Sequence, residues 1–498
     1  MSPSVRPGSR DEGSSVTAPD ETTPLLAASI TAPVPQSAEV EQSHEERIHP
    51  AEQNDEDAPI PKFQIFLLSY ASLVEPVAFF SIFPYINSMI NNVGGIDTED
   101  VGFYSGLIES LFSATQMCVM VFWGKASDRF GRKPVLSISL FGIAITTALF
   151  GLSTALWQMI LFRCLAGVFA GTVVTVRTML SENSTPKTQA RIFSYFAFAR
   201  NLGLLLGPII GGAFEHPADK FPSMFGRAQF FHDFPYALPG FVSALVPLTA
   251  TFSSSIFIKE TLNVRKSKDT PNKEPMSTWE LINYPGIRQV LFIFNYVMML
   301  AMGFTAIFPV FMFTTIPLGG LELSPGWIAT FMSVGGLAQS LWLLVVFPWL
   351  HKRVGTEGVV KFSAVVWPCF FAIDPLCNLF LRRGLKPLFW TVFGINNVVG
   401  CGVAMAFAAV QLAVNDIAPS PETLGVLNAI ALGLQSGLRA IIPALSTSLY
   451  ATGVKYHILG GQFFWAILVV AALGLSLVIR ILPEKLKGKP KSRENGTA

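Results

Sequence analysis

Five ionisable side chains lie where this sequence can least carry charge. Glu75 and Glu109 sit well inside long apolar runs, and Arg163, Arg200 and Arg439 are embedded in the same way. An unpaired charge at the centre of a bilayer costs on the order of 2.5–3.5 kcal/mol or more, so these groups should face a common interior. Burial and a nearby arginine pull the ionisation of such a carboxyl in opposite directions. A proton and a substrate competing for it is the chemistry of exchange; a fixed structural ion pair is the alternative for each acid. Gln116 follows Glu109 by seven residues, about two helical turns, which puts both on one face. Asp374 and Asp416 are expected too near the ends of their runs to take part.

A second cluster is the stretch Gly124-Lys-Ala-Ser-Asp128-Arg129-Phe-Gly131-Arg132-Lys133-Pro134. Its glycines allow a tight turn between helices. Asp128 can accept hydrogen bonds from a helix N-terminus or an arginine and so latch two parts of the molecule together; a basic loop that only anchors topology is the plainer alternative. A third is Gly203, Gly207, Pro208, Gly211 and Gly212, small residues that let helices approach closely, with a proline that can bend one. Polar residues isolated in apolar surroundings complete the set. Tyr70, Gln116, Asn295, Gln339, Asn396, Asn397 and Gln435 are each expected to line a cavity or a helix contact.

The elements that hold these groups must be membrane helices. The chain has 498 residues, 51% hydrophobic and only 14% charged, against about 25% charged in ordinary soluble chains. Runs long enough to span a bilayer occur at 63–90, 101–123, 135–154, 157–180, 190–213, 237–258, 289–315, 326–349, 359–380, 387–412, 424–448 and 460–482. With both termini cytosolic, Lys125, Arg129, Arg132, Lys133, Lys187, Arg191, Lys352 and Arg353 fall on the inner side. Only Lys220, Arg227, Arg382, Arg383, Lys386 and Lys455 fall outside. That bias follows the positive-inside rule.

The polar stretch 259–288 divides the spans into an N-terminal half, 62–258, and a C-terminal half, 289–482. A faint repeat supports the division: Trp123–Gly131 aligns with Phe347–Gly355, and Lys352 stands where the first copy has Asp128. The fold expected is an all-α membrane protein of twelve transmembrane helices in two six-helix halves around a central cavity. Five isolated cysteines and no His cluster indicate neither disulfides nor a metal site. No phosphate-binding GxxxxGK[S/T] loop occurs and no catalytic cluster, so an enzyme is not expected. The excess of basic residues between apolar runs fits topology rather than nucleic acid.

The 124–134 loop resembles motif A of the major facilitator superfamily, and the likeness extends from about Lys62 to Leu482. The resemblance places a conformational gate on Gly124, Asp128, Arg129, Gly131 and Arg132. The Gly203–Gly212 stretch is similar to motif C of drug:proton antiporters, although a further glycine of the longer motif is Ser194 here. Arg163 with Gly167 and Gly171 resembles motif B, whose arginine is associated with proton transfer. The runs Glu75–Tyr85 and Gly102–Ser110 are similar to a fungal branch of the superfamily. That branch also resembles plant zinc-induced-facilitator-like carriers, tetracycline exporters and fungal metabolite exporters, one of them beside the psilocybin pathway.

The likeness implies export of a small organic molecule or secondary metabolite by proton antiport with alternating access. No cofactor is expected beyond the proton gradient. A facilitator or nutrient importer of the same fold, and a nutrient-sensing receptor, are the alternatives. Proton coupling is expected on Glu109, Glu75, Arg163 and Arg200. Relatives often carry Arg three residues before the first of these carboxyls in the chain; Ser72 stands there, which ranks Glu109 ahead of Glu75.

Residues 1–61 hold twelve acids against three Arg up to residue 60 and should form a disordered cytosolic tail; 483–498 form a basic one. Glu21-Thr-Thr-Pro-Leu25-Leu26 fits an acidic dileucine pattern that a sorting adaptor could read. A silent pattern leaves the protein at the plasma membrane, and an active one diverts it to the vacuolar or endosomal membrane.

Overall fold

The computed structural model describes residues 61–184, 188–262, 278–419, 421–483 and 486. Glu21, Leu25 and Leu26, half of the linker and most of both tails lie outside them. Among the described residues the chain forms helices and no strand. This is what a bilayer demands, because a helix satisfies its backbone polar groups internally.

The principal helices are α1 (Lys62–Phe80), α2 (Val101–Phe130), α3 (Arg132–Gly151), α4 (Leu156–Glu182), α5 (Gln189–Phe214) and α6 (Ala237–Phe257). They continue as α7 (Ile287–Phe313), α8 (Pro325–Leu341), α9 (Phe347–Arg382), α10 (Lys386–Ile417), α11 (Pro421–Lys455) and α12 (Phe463–Val478). Among the described residues, ten stretches are long and apolar enough to cross a membrane. One of them, Pro325–Arg382, runs for 58 residues through α8 and α9, and Phe198–Phe214 within α5 is a shorter apolar helix.

Departures from the expected spans have local causes. The first run, 63–90, is not one helix: α1 stops at Phe80 and helix resumes at Ile86–Asn92. Pro84 accounts for the break, since it has no N–H and its ring collides with the carbonyl four residues back. Between α2 and α3 the chain reverses at Gly131, with φ 106°, and α9 is broken at Gly355, with φ 68°. Side chains rarely adopt that backbone, so the two copies of the repeat keep the same glycine for the same turn.

The buried apolar clusters divide along the chain. The largest draws its members from Leu281–Leu486, and another lies between Ile65 and Ile258. The two parts meet chiefly where α2 packs on α11 and α5 on α8. Gly102 and Gly106 lie against Ala451 and Thr447, and Gly212 against Ala329. The Ala444 N–H donates to Ser110 Oγ at 2.9 Å, and Lys455 pairs with Asp100 at 2.8 Å. These contacts lie toward the end of the bundle away from the basic 124–134 loop. Toward the basic end the two parts diverge around a cavity.

Candidate functional site: a charged central cavity

The cavity has a volume of about 640 Å³ and is lined from α1, α2, α4, α5 and α11, within the size range of small-molecule sites. Apolar walls come from Met117, Met120, Val121, Val173 and Leu432. Its polar floor is Glu75, whose side chain is only 3% exposed. Gln116 Nε2 donates to Glu75 Oε1 at 3.0 Å and to the Ala170 carbonyl at 3.1 Å. Arg439 Nη1 lies 3.8 Å from Oε1, and Arg200 Nη1 4.0 Å from Oε2. Three helices of one half and one of the other thus converge on a single carboxylate. Arg177 also lines the cavity, and its guanidinium and that of Arg200 stand over the Phe196 ring at 5.4 and 5.7 Å. Arg439 caps Phe79 at 4.7 Å.

Glu109 is buried but does not line the cavity. Its charged neighbours are Arg439 and Arg163, and the adjoining Ser110 receives the Ala444 N–H across the α2–α11 seam. Arg163 sits in an aromatic cage of Phe112, Phe79 and Phe150 at 4.7, 5.4 and 5.9 Å. Arg439 therefore serves two carboxyls, one on the cavity floor and one beside the seam.

Comparison with known proteins agrees with this architecture. Residues 65–373 match the family model of the Major Facilitator Superfamily. The chain belongs to the major facilitator superfamily. It is 44% identical to "Efflux pump azaK" of Aspergillus niger, covering 87% of this chain and 91% of that protein. It is 30% identical to "Major facilitator-type transporter psiT2" of Psilocybe cubensis, covering 79% and 84%. Among solved structures, a D-xylose-proton symporter superposes with a TM-score of 0.64 at 14% identity, covering 84% of this chain and 98% of that one. The protein is a membrane transporter of this superfamily and not an enzyme.

In the 124–134 stretch the ion pairs stay within the first part of the chain. Asp128 pairs with Arg132 at 2.7 Å, within its own half, and is 62% exposed. Arg129 stands over Phe130 rather than reaching across. The buried member is Arg132, which donates to Glu182 Oε1 at 3.1 and 3.3 Å and to Ser127 Oγ at 2.8 Å. Its backbone N–H and that of Lys133 donate to Glu260 at 2.8 and 3.1 Å. Burial pushes the Glu260 carboxyl up, but the N–H groups of Arg132, Lys133, Leu262 and Thr261 outweigh it and hold the group below its ordinary range. Gly124 faces open space.

The glycines of the motif-C-like stretch form a packing face. Gly203 meets Pro76 and Leu73 of α1, Gly207 meets Phe80, Gly211 meets the Ser81 carbonyl, and Gly212 meets α8; Pro208 lies inside α5. Of the isolated polar residues, Gln116 and Gln435 line the cavity. Asn396 donates to Asp374 and the Phe370 carbonyl, and Asn397 to the Phe331 carbonyl, both inside the second half. Asn295 bonds its own helix at Leu291, and Gln339 is half-buried on α8.

Sequence reasoning missed Arg177, Glu182 and Glu260. It also placed Asp374 near a span end, whereas the residue is 1% exposed within α9. Arg177 carried a readable signal, since it follows Arg163 by fourteen residues and so falls close to the same helical face.

Proposed function

We propose that this chain exports a small organic molecule from the cytosol by alternating access, driven by proton antiport. The observation that carries the reading is the charged cavity in a chain 44% identical to a named efflux pump. In this reading 62–258 and 289–482 are the two halves. The 58-residue stretch counts as two crossings and Gln189–Phe214 as one, giving twelve. Both termini and the basic loops face the cytosol, so the cavity of this conformation opens inward. Glu109 carries the exchanged proton, because it lies beside the seam that must open, and Arg439 reports its charge to the cavity.

Reconstitution of the full chain into vesicles with an imposed pH gradient tests this. Export accelerated by an acidic trans side is expected; flux indifferent to the gradient would mean facilitation instead.

The plasma membrane is the proposed address, with the dileucine pattern silent and no adaptor bound. A C-terminally tagged chain should reach the cell surface unchanged by Leu25→Ala/Leu26→Ala. Vacuolar labelling that this double change moves to the surface would make Glu21, Leu25 and Leu26 a working adaptor signal.

A further inference from the structure

The charges lining the cavity do not balance. Among the described lining residues there is one acid, Glu75, against three arginines, Arg177, Arg200 and Arg439. The excess is presented to the ligand space rather than hidden. Glu75 is 3% exposed, while Arg200 and Arg439 are 26% and 28% exposed, so an entering molecule meets guanidinium groups first. Arg177 Nε is buried with no hydrogen-bond partner among the described residues, a costly state for a charged donor unless something else fills it. The cations also straddle the two halves, Arg177 and Arg200 on α4 and α5 and Arg439 on α11.

We propose that the transported molecule is an organic carboxylate with an apolar body, its anionic group held between Arg177 and Arg200 on one side and Arg439 on the other. Guanidinium forks match carboxylates in a two-point geometry, which makes arginine the residue suited to this task. The methionine and valine wall takes the apolar remainder. Neutralising cations that face each other across the halves removes a repulsion that opposes closure, so the ligand itself favours occlusion. This assignment rests on the export reading but makes Glu75 an internal counter-ion.

The test uses the full chain in neutral-lipid vesicles loaded with an equimolar library of aromatic and aliphatic carboxylates, each accompanied by its amide and its amine on the same skeleton. Depletion is read by mass spectrometry, and binding by thermal stabilisation. Carboxylates should be depleted selectively, and Arg177→Gln or Arg439→Gln should weaken their binding at least about tenfold, the scale of one lost charged hydrogen bond. Arg177→Lys should restore part of it, separating a charge requirement from misfolding.

Depletion of amides or amines instead would overturn the anion assignment and leave export standing. Carboxylates that bind through Arg177 yet are exported under neither gradient would leave the assignment standing and remove the export reading. Neither binding nor depletion of any carboxylate would refute the assignment outright. An anionic lipid headgroup offers the same chemistry. If phosphatidylglycerol vesicles abolish carboxylate binding in the native chain but not in Arg177→Gln, the site belongs to lipid and the proposal fails.

Discussion

The two halves are joined by different chemistry. The first stitches its helices together with charge: Glu75 with Gln116 and Arg200 at the cavity, and Arg132 with Glu182 and Glu260 at the basic end. The second relies more on amides, beside a Lys361–Glu357 ion pair on one helix. Asn396 reaches Asp374, Asn378 donates to the carbonyls of Ile316 and Gly320, and Gln411 bonds Asn428, which bonds Asn415. The repeated loop shows the contrast at a single register. Both copies turn on a glycine of positive φ, Gly131 and Gly355, but the next residue is Arg132 in one and Thr356 in the other. Thr356 shares a 3.1 Å hydrogen bond with His351 where Arg132 meets Asp128, Glu182 and, through its backbone, Glu260. Ion pairs between side chains can be rewired by a proton or an ionic ligand, whereas a bond between two amides cannot. Under the proposed division, ion pairs concentrate in the first half, and Arg439 reaches its cavity from α11.

The largest effect that would sharpen this contrast is expected at the loops. Arg132 is 2% exposed, and Arg132→Ala leaves Glu182 without its cation. Removing one partner of a buried pair costs about 3–5 kcal/mol. Thr356→Val breaks one neutral hydrogen bond, worth about 1 kcal/mol. Denaturation of the two purified variants in detergent measures both, and equal losses would erase the distinction between the halves.

A smaller, functional effect separates the buried carboxyls. Glu109→Gln removes the charge felt by Arg439 and Arg163. Uphill transport should fall at least about tenfold, equivalent to about 1.4 kcal/mol in the barrier, while exchange of substrate across the membrane continues. Asp374→Asn preserves shape at a site whose one bonded side chain is an amide, and both activities should persist. Vesicle flux with and without a pH gradient reads the pair. Full pH-driven export by Glu109→Gln, or its loss in Asp374→Asn, would reverse the assignment.

Much of the frame was legible in the sequence, because spans, basic loops and the 224-residue offset of the repeat are periodic or compositional signals. The wiring was not. Ser72 was read as the loss of a cation beside Glu75, yet Arg200 and Arg439 supply it from helices far along the chain, and no local pattern records that meeting. Gln116 lies on the helical register of Glu109, but its amide turns to Glu75 of α1 and the Ala170 carbonyl of α4, a meeting that tertiary packing decides. Asp128 was the conspicuous acid of the loop. The further acids on Arg132 are Glu182 and Glu260, which the sequence shows only as ordinary residues at helix ends.

The smallest expected effect concerns pH at that loop. Burial raises the Glu260 carboxyl, four backbone N–H groups lower it further than burial raises it, and the group ends below its ordinary value of 4.5. A depressed carboxylate contributes stability that is fully present above the unfolded value and is lost as pH falls through the lower folded value. The amides of Arg132 and Lys133 should therefore stay protected from hydrogen exchange at pH 5, after correction for intrinsic rates. They should lose protection only below about 4.5, and by no more than about tenfold for so exposed a contact. The amides around Gly355 lie beside His351, Thr356 and Glu357 rather than Glu260, so their profile serves as the comparison. Glu260→Gln should flatten the first profile and leave the second untouched. If both loops lose protection together on acidification, the pH response belongs to the whole bundle, and the contrast between a charged half and an amide half fails at the register where it is drawn most sharply.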